Sequence, residues 1–226
     1  MFISKSMTRK LVTTTAEANL MEIRELMDKN KIRHLPVVDP DNLLLGMVTD
    51  RDIRSAMPAI PTDDFDSRVE REKMEAMKVG DIMSKELITV SPLHTLQDVL
   101  LLFDQYGFGA LPVVDEKGFL KGIVSVRDLL RAFKNVMGIG EPGVLLCILA
   151  EHKVGQMKKI VDIITVENIS MGSILVARYW EKNKRAVFPY LLTNNVARVK
   201  KKLKEAGYKL LDPWEWYLDQ LPHEES

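Results

Sequence analysis

The sequence is poor in the residues that most often announce chemistry. A single cysteine, Cys147, stands in 226 residues, so no internal disulfide can form. The four histidines, His34, His94, His152 and His223, are scattered, and with one cysteine they make no recognisable zinc-ligand spacing. Neither sign of charge prevails: 32 basic and 32 acidic residues cancel. That balance removes the electrostatic reason to expect nucleic acid or an anionic membrane as the main partner. Apolar stretches such as residues 143–150 fall far short of the roughly 20 residues needed to span a bilayer. No basic-then-apolar leader with a small-residue cleavage site opens the chain. A nucleophile elbow, a P-loop and a dinucleotide glycine fingerprint are missing too. These absences lead us to expect a cytoplasmic protein that is not an enzyme, holds no metal and requires no cofactor. The 46% hydrophobic content is ample for packed cores.

What the chain does have is a repeat. Residues 7–54 and 83–130 align at a constant offset of 76 without a gap, and 16 of the 48 pairs are identical. Identity concentrates in Leu35-Pro36-Val37-Val38-Asp39 against Leu111-Pro112-Val113-Val114-Asp115, and in Gly46-Met47-Val48-Thr49-Asp50-Arg51-Asp52 against Gly122-Ile123-Val124-Ser125-Val126-Arg127-Asp128. A duplicated compact unit implies two copies packed face to face, with equivalent clefts about a pseudo-two-fold axis.

In the first copy the pattern predicts a short strand at 11–13, then a helix over 19–30 with Leu20, Ile23, Leu26 and Met27 on its apolar face. Asn19 is its expected N-cap, with Glu22 three residues on. A hairpin follows, with strands at 33–38 and 43–48 around the turn at 40–42, and a helix starts at Thr49. The second copy repeats the order: strand 87–90, helix 95–106, strands 110–114 and 119–124, helix from Ser125. Between the copies, residues 57–64 read as a surface connection and the charged stretch 67–77 as a solvated helix. Three glycines and a proline within 137–143 read as a hinge. Beyond it comes a different order: strand 144–149, helix 156–167, strand 173–179, turn 181–184, strand 186–191, helix 195–206, strand 208–211. That βαββαβ sequence is the split βαβ arrangement of ferredoxin-like domains. The resulting division is repeat 1 at 1–56, a linker at 57–78, repeat 2 at 79–134, a hinge at 135–143, a third unit at 144–212 and a tail at 213–226.

Thr49-x-x-Asp52 and Ser125-x-x-Asp128 lie where a strand hands over to a helix, so free N–H groups and the helix dipole favour an anion there. A carboxylate just inside that helix is suited to accept hydrogen bonds from a vicinal diol, as acids do towards ribose elsewhere. The same pattern is also an ordinary helix cap, and both readings stand side by side. The copies differ ahead of the Leu-Pro step. Arg33 and His34 follow Lys31 in the first, whereas Gly109 and Ala110 follow Gly107 in the second. Arginine offers a planar fork suited to phosphate, and histidine a donor that titrates near neutral pH. Arg51 and Arg127 recur in both copies, with a surface role and a phosphate role equally open.

Each copy resembles a cystathionine-β-synthase (CBS) domain, and the pair resembles a Bateman module over residues 1–134. The carriers are the apolar-Leu-Pro-Val-Val-Asp strand and the Gly-h-x-[Thr/Ser]-x-x-Asp segment, both present twice at one separation. The third unit resembles an ACT domain through its element order and Val154-Gly155, near the family's usual Pro-Gly. The combination is similar to AcuB-type proteins of acetoin utilisation. The fold class implied is α/β (α+β): a tandem CBS pair plus a ferredoxin-like ACT domain. The resemblance implies an adenine nucleotide, AMP, ADP or ATP, in the clefts. Asp52 and Asp128 would hold ribose, Thr49 and Ser125 ribose or phosphate, and Arg33 and His34 phosphate. Thr13 and Thr89, with Val12, Ile88 and residues before each Leu-Pro such as Ala110, would form the adenine slot. In the third unit His152, Lys153, Val154 and Gly155 would be an effector loop. A homodimer and a regulated protein partner follow from the same families.

Alternatives remain at this stage: an assembly protein with vestigial clefts, or an enzyme hydrolysing a nucleotide, for which no base is evident. The basic run 198–204 keeps Val199 and Leu203 on its other face, as a solvated amphipathic helix does. Cys147 reads as a structural thiol in an apolar strand, and Met21, Met27, Met47 and Met157 as core.

Overall fold

The computed structural model describes residues 2–56, 76–178 and 183–212. The connection at 57–64, most of the expected helix at 67–77, part of the turn at 181–184 and residues 213–226 lie outside them. The chain divides into two compact units, residues 1–130 and 131–226.

In the first unit, α1 (Leu20–Asn30) leads to the hairpin β1 (His34–Val38) and β2 (Leu44–Thr49), then α2 (Asp50–Ala56). The second copy opens with the short α3 (Val79–Ile82), followed by α4 (Leu96–Tyr106), β3 (Ala110–Val114), β4 (Leu120–Ser125) and α5 (Val126–Val136), within which the boundary between the units falls. Asn19 caps α1 by accepting the Met21 N–H at 2.7 Å, as expected. Thr95 and Asp98 cap α4 reciprocally, with Thr95 Oγ1 donating to Asp98 Oδ2 at 2.7 Å. Each helix buries one stripe: Leu20, Ile23 and Met27 on α1, and Leu96, Val99 and Phe103 at the matching positions of α4. Leu20, Ile23 and Met27 pack on Leu35, Val37, Val48 and Ile53, and the matching Leu111, Val113, Val124 and Leu129 of the second copy are buried as well. Each such side chain contributes about 1.5–3 kcal/mol. Met21, expected in the core, is 37% exposed, because it sits on the far side of α1 from that stripe.

The expected strands at 11–13 and 87–90 shrink to single parallel bridges, Thr14 to Val37 and Val90 to Val113. Proline is the reason. Thr14 N–H donates to Pro36 O and Val38 N–H to Thr14 O, but the next rung would need an N–H from Pro36, which has none. Pro112 stops the second copy in the same way. The segment that opens each copy pairs instead with the hairpin of the other: Thr8 with Ile123 and Ser84 with Met47. The two hairpin turns also meet, Leu43 bridging Phe119, with Asn42 (φ 69°) and Gly118 (φ 86°) in equivalent left-handed positions. Bare backbone at Gly46 and Gly122 admits the partners' methionines: a Cβ at either would lie 2.7 Å from the sulfur of Met83 or Met7.

In the second unit, β5 (Val144–Leu145) and β6 (Ile148–Glu151) run along one side of β8 (Lys184–Leu191), one strand interrupted at Leu146 and Cys147. With α6 (Gln156–Val166), β7 (Met171–Arg178), α7 (Ala197–Glu205) and β9 (Lys209–Leu210), the βαββαβ order is present. All pairings are antiparallel, and the order across the sheet is β7, β8, β5/β6, β9. Ile160 and Ile164 of α6 and Val199 and Leu203 of α7 cover one face, against Ile148, Ala150, Val187 and Leu191. The glycine-rich stretch read as a hinge is tied to this sheet. Ser173 Oγ donates to Met137 O at 2.8 Å and Tyr190 Oη to Glu141 O at 2.6 Å.

Candidate functional site

The hairpin registers place His34 opposite Thr49 and Ala110 opposite Ser125, so each strand start lies beside a strand-to-helix turn. At the first turn, Asp52 Oδ2 accepts the Thr49 N–H at 2.8 Å and its hydroxyl at 2.7 Å, and the Asp52 N–H lies 3.3 Å from Thr49 Oγ1. Ser125 and Asp128 repeat this at 2.9, 2.6 and 3.3 Å. Both acids therefore serve as helix caps.

Beyond the cap they differ. Asp128 is 4% exposed. Asp52 is half-buried and lines a cleft of about 520 Å³ to which both repeats contribute. Its Oδ2 is saturated by the cap, whereas Oδ1 has no hydrogen bond to any described residue. Of the residues singled out from the sequence, Arg33, His34, Thr49, Asp52 and Ala110 line this cleft together. Thr13, Thr89, Ser125 and Asp128 are not in its lining. Thr13 is half-buried beside the Thr14 bridge, and Thr89 is exposed while its neighbour Ile88 enters the cleft. Phe108, Asp50, Arg54 and Glu86 line it as well, without having been singled out. For Phe108 the available signal was its place between Gly107 and Gly109, just ahead of Leu111-Pro112.

The cleft carries charge of both signs. Arg54 is neutralised by Asp50 at 2.8 Å, whereas Arg33 and Arg51 have no ion pair among the described residues and stand exposed. Burial pushes the His34 imidazole below its ordinary pKa, the Arg33 charge adds to that, and the Asp52 carboxylate opposes it. His34 is thus neutral at pH 7. Its ring lies over Gly109, where a Cβ would come within 2.9 Å of both Cε1 and Nε2.

The pattern that defines the CBS domain matches residues 3–59 and 79–135, half of the chain. The chain belongs to the CBS domain family. The expected tandem CBS pair is therefore present. A CBS domain-containing protein of Dictyostelium discoideum is 34% identical over 130 residues, 57% of this chain and 88% of that protein. Inosine-5'-monophosphate dehydrogenase of Bifidobacterium longum is 34% identical over 121 residues, but the chain spans only 20% of that enzyme. Among solved structures, a Vibrio cholerae protein described as an acetoin utilization protein (AcuB) aligns at 25% identity and TM-score 0.51, over 62% of this chain and 96% of its own. CBSX2, solved in complex with AMP, aligns at 28% identity and TM-score 0.50, over 58% of this chain and 95% of its own. The Asp52 cleft lies wholly within the CBS pair.

In the second unit, residues 152–155 form an exposed loop between β6 and α6. Lys153 pairs with Glu151 at 2.7 Å, and His152 Nε2 lies 3.3 Å from Arg185 Nη2. Gly155, at φ 89°, precedes the first residue of α6. Among the described residues no group of three or more His, Cys, Asp or Glu is placed to hold a metal, and no helix is long and apolar enough to cross a membrane.

Proposed function

We propose that the CBS pair binds an adenine nucleotide, AMP, ADP or ATP, in the Asp52 cleft and acts as a non-catalytic regulatory sensor. The carrying observation is the difference between the two acids. Among the described residues, Asp52 keeps one carboxylate oxygen without a hydrogen bond in a cleft beside two guanidinium groups that have no ion pair, whereas Asp128 is shut in its cap. Asp52 Oδ1 takes a ribose hydroxyl, Ile88, Phe108 and Ala110 receive the base, and Arg33, His34 and Arg51 meet phosphate. The complex of CBSX2 with AMP supports this class of ligand. A bound nucleotide spanning the repeats favours one arrangement of them by no more than its differential affinity.

The second unit, in this proposal, is an ACT-like effector or dimerisation domain, with residues 152–155 as effector loop. Its strand order supports that reading. The protein works in the cytoplasm as a homodimer acting on a protein partner.

Calorimetric titration with AMP, ADP and ATP tests the central claim. Binding by the wild type that falls about tenfold, or ~1.4 kcal/mol, in Asp52→Asn is the expected result. No heat and no thermal shift with any of the three would leave an assembly protein with vestigial clefts, a reading favoured by the capping role of both acids. ATP turnover abolished by Asp52→Asn would instead make it an enzyme.

A further inference from the structure

Among the described residues that line the Asp52 cleft, His34 alone is of a type that changes charge near neutral pH. It starts β1, opposite Thr49 of β2, and its imidazole reaches from the first copy to lie over Gly109 of the second. A Cβ at Gly109 would meet Cε1 and Nε2 at 2.9 Å, so the ring fills room that only a glycine leaves. The second copy has Ala110 at the position equivalent to His34, and the duplicated frame carries this arrangement once. Neither ring nitrogen bonds to a described residue. No side-chain nitrogen or oxygen among those residues is both sealed from solvent and without a partner, so both ring nitrogens are open to the cleft.

Charges face His34 from the elements around it. Arg33 precedes it on the way into β1, Asp50, Arg51, Asp52 and Arg54 belong to α2, and Glu86 stands in the segment that opens the second copy. Residues 107–112, running into β3, add none. Three guanidinium groups thus meet three carboxylates, and the lining is balanced while His34 is neutral. Burial and the Arg33 charge hold it so in the free protein, against the pull of Asp52. A nucleotide phosphate is mostly a dianion at pH 7, its second pKa lying near about 6. Its arrival leaves the cleft short of positive charge. Arginine is already fully ionised and has none to add, whereas histidine does.

We propose that a nucleotide phosphate entering the Asp52 cleft draws a proton onto His34, so that the CBS pair binds its ligand more tightly as pH falls through neutrality. The inference rests on the reading of this cleft as a nucleotide site. Its sign follows from linkage. Binding takes up a proton, so affinity rises with acidity between the pH at which the liganded ring titrates and the lower pH at which the free ring does, and is level outside that window. Protonation of the phosphate itself works in the opposite direction and sets in only near about pH 6.

Calorimetric titration of the wild type with AMP at pH 7, in two phosphate-free buffers of different ionisation enthalpy, reads the proton directly. Heats that differ in the sense of uptake, with AMP affinity at least about threefold higher at pH 6.5 than at pH 7.5, are the expected result. Adenosine, which lacks the phosphate, should give equal heats and no such rise, and His34→Gln should bind AMP without uptake. The NMR titration of the wild-type ring, whose signal is the one missing from His34→Gln, should move its midpoint to higher pH with AMP and hold it with adenosine. AMP bound with equal heats and an unmoved His34 midpoint would overturn the proposal and leave the nucleotide site standing. Uptake that persists in His34→Gln would overturn it too, by placing the proton elsewhere. No binding of AMP at any of these pH values would remove the nucleotide reading of the cleft and this inference with it.

Discussion

A carboxylate that caps a helix through one oxygen keeps the other for a ligand only if that other oxygen can be reached. Asp52 meets the condition and Asp128, 4% exposed, does not. Asp128→Ala is therefore expected to lower stability by about 1–2 kcal/mol, the worth of a lost cap, while nucleotide affinity stays within about twofold; denaturant melts and titration read the two separately. Lys31 ends α1 at φ 54° where Gly107 ends α4 at φ 67°. A side chain in that region costs about 1 kcal/mol, so Lys31→Gly should stabilise the protein by roughly 0.5–1 kcal/mol. His34 gives a pH dependence whose sign can be worked out. The unfolded chain takes up its proton around 6.5, while the native ring, buried beside Arg33, does so only at lower pH. The unfolded state therefore binds more protons just below 6.5, and stability falls as pH drops through that window and is level above it. Urea melts at pH 7.5 and 5.5 should show a larger loss for wild type than for His34→Gln.

At the scale of elements, the hairpins, their turns and the helix stripes were legible because each depends on neighbours in sequence: Leu35 to Val38, Asn42, and the spacing of Leu20, Ile23 and Met27. The strands read at 11–13 and 87–90 were not, since apolar residues there promise a ladder that the missing N–H of Pro36 and Pro112 cuts to one bridge. Nor did local pattern reveal that the stretch holding Met7 and Thr8 belongs to the hairpin of the second copy. The crossing can be tested. A Cβ at Gly46 meets Met83 Sδ at 2.7 Å and Ser84 O at 2.9 Å, and one at Gly122 meets Met7 Sδ at 2.7 Å and Thr8 O at 3.1 Å. Because backbone as well as a flexible thioether is in the way, Gly46→Ala and Gly122→Ala should each cost about 1–3 kcal/mol, seen as a lowered urea midpoint with unchanged slope.

At the scale of the whole molecule, two units with separate cores predict two calorimetric transitions. A nucleotide at a hundred times its dissociation constant adds about 2.7 kcal/mol to the unit that binds it. Scanning calorimetry with AMP is expected to raise the transition of residues 1–130 and leave the other in place; a shift in the second transition alone would move the site to the second unit. The sequence by itself determined the duplication, the two hairpins, the paired Thr/Ser-x-x-Asp caps and the βαββαβ order, because these follow from identity at a constant offset and from local periodicity. Only the tertiary structure decided which of two matching aspartates faces a cleft, that His34 lies over Gly109, and that Ile88 rather than Thr89 lines the site. Those outcomes depend on how distant segments bury one another, and two nearly identical stretches of sequence carry no record of which will be covered.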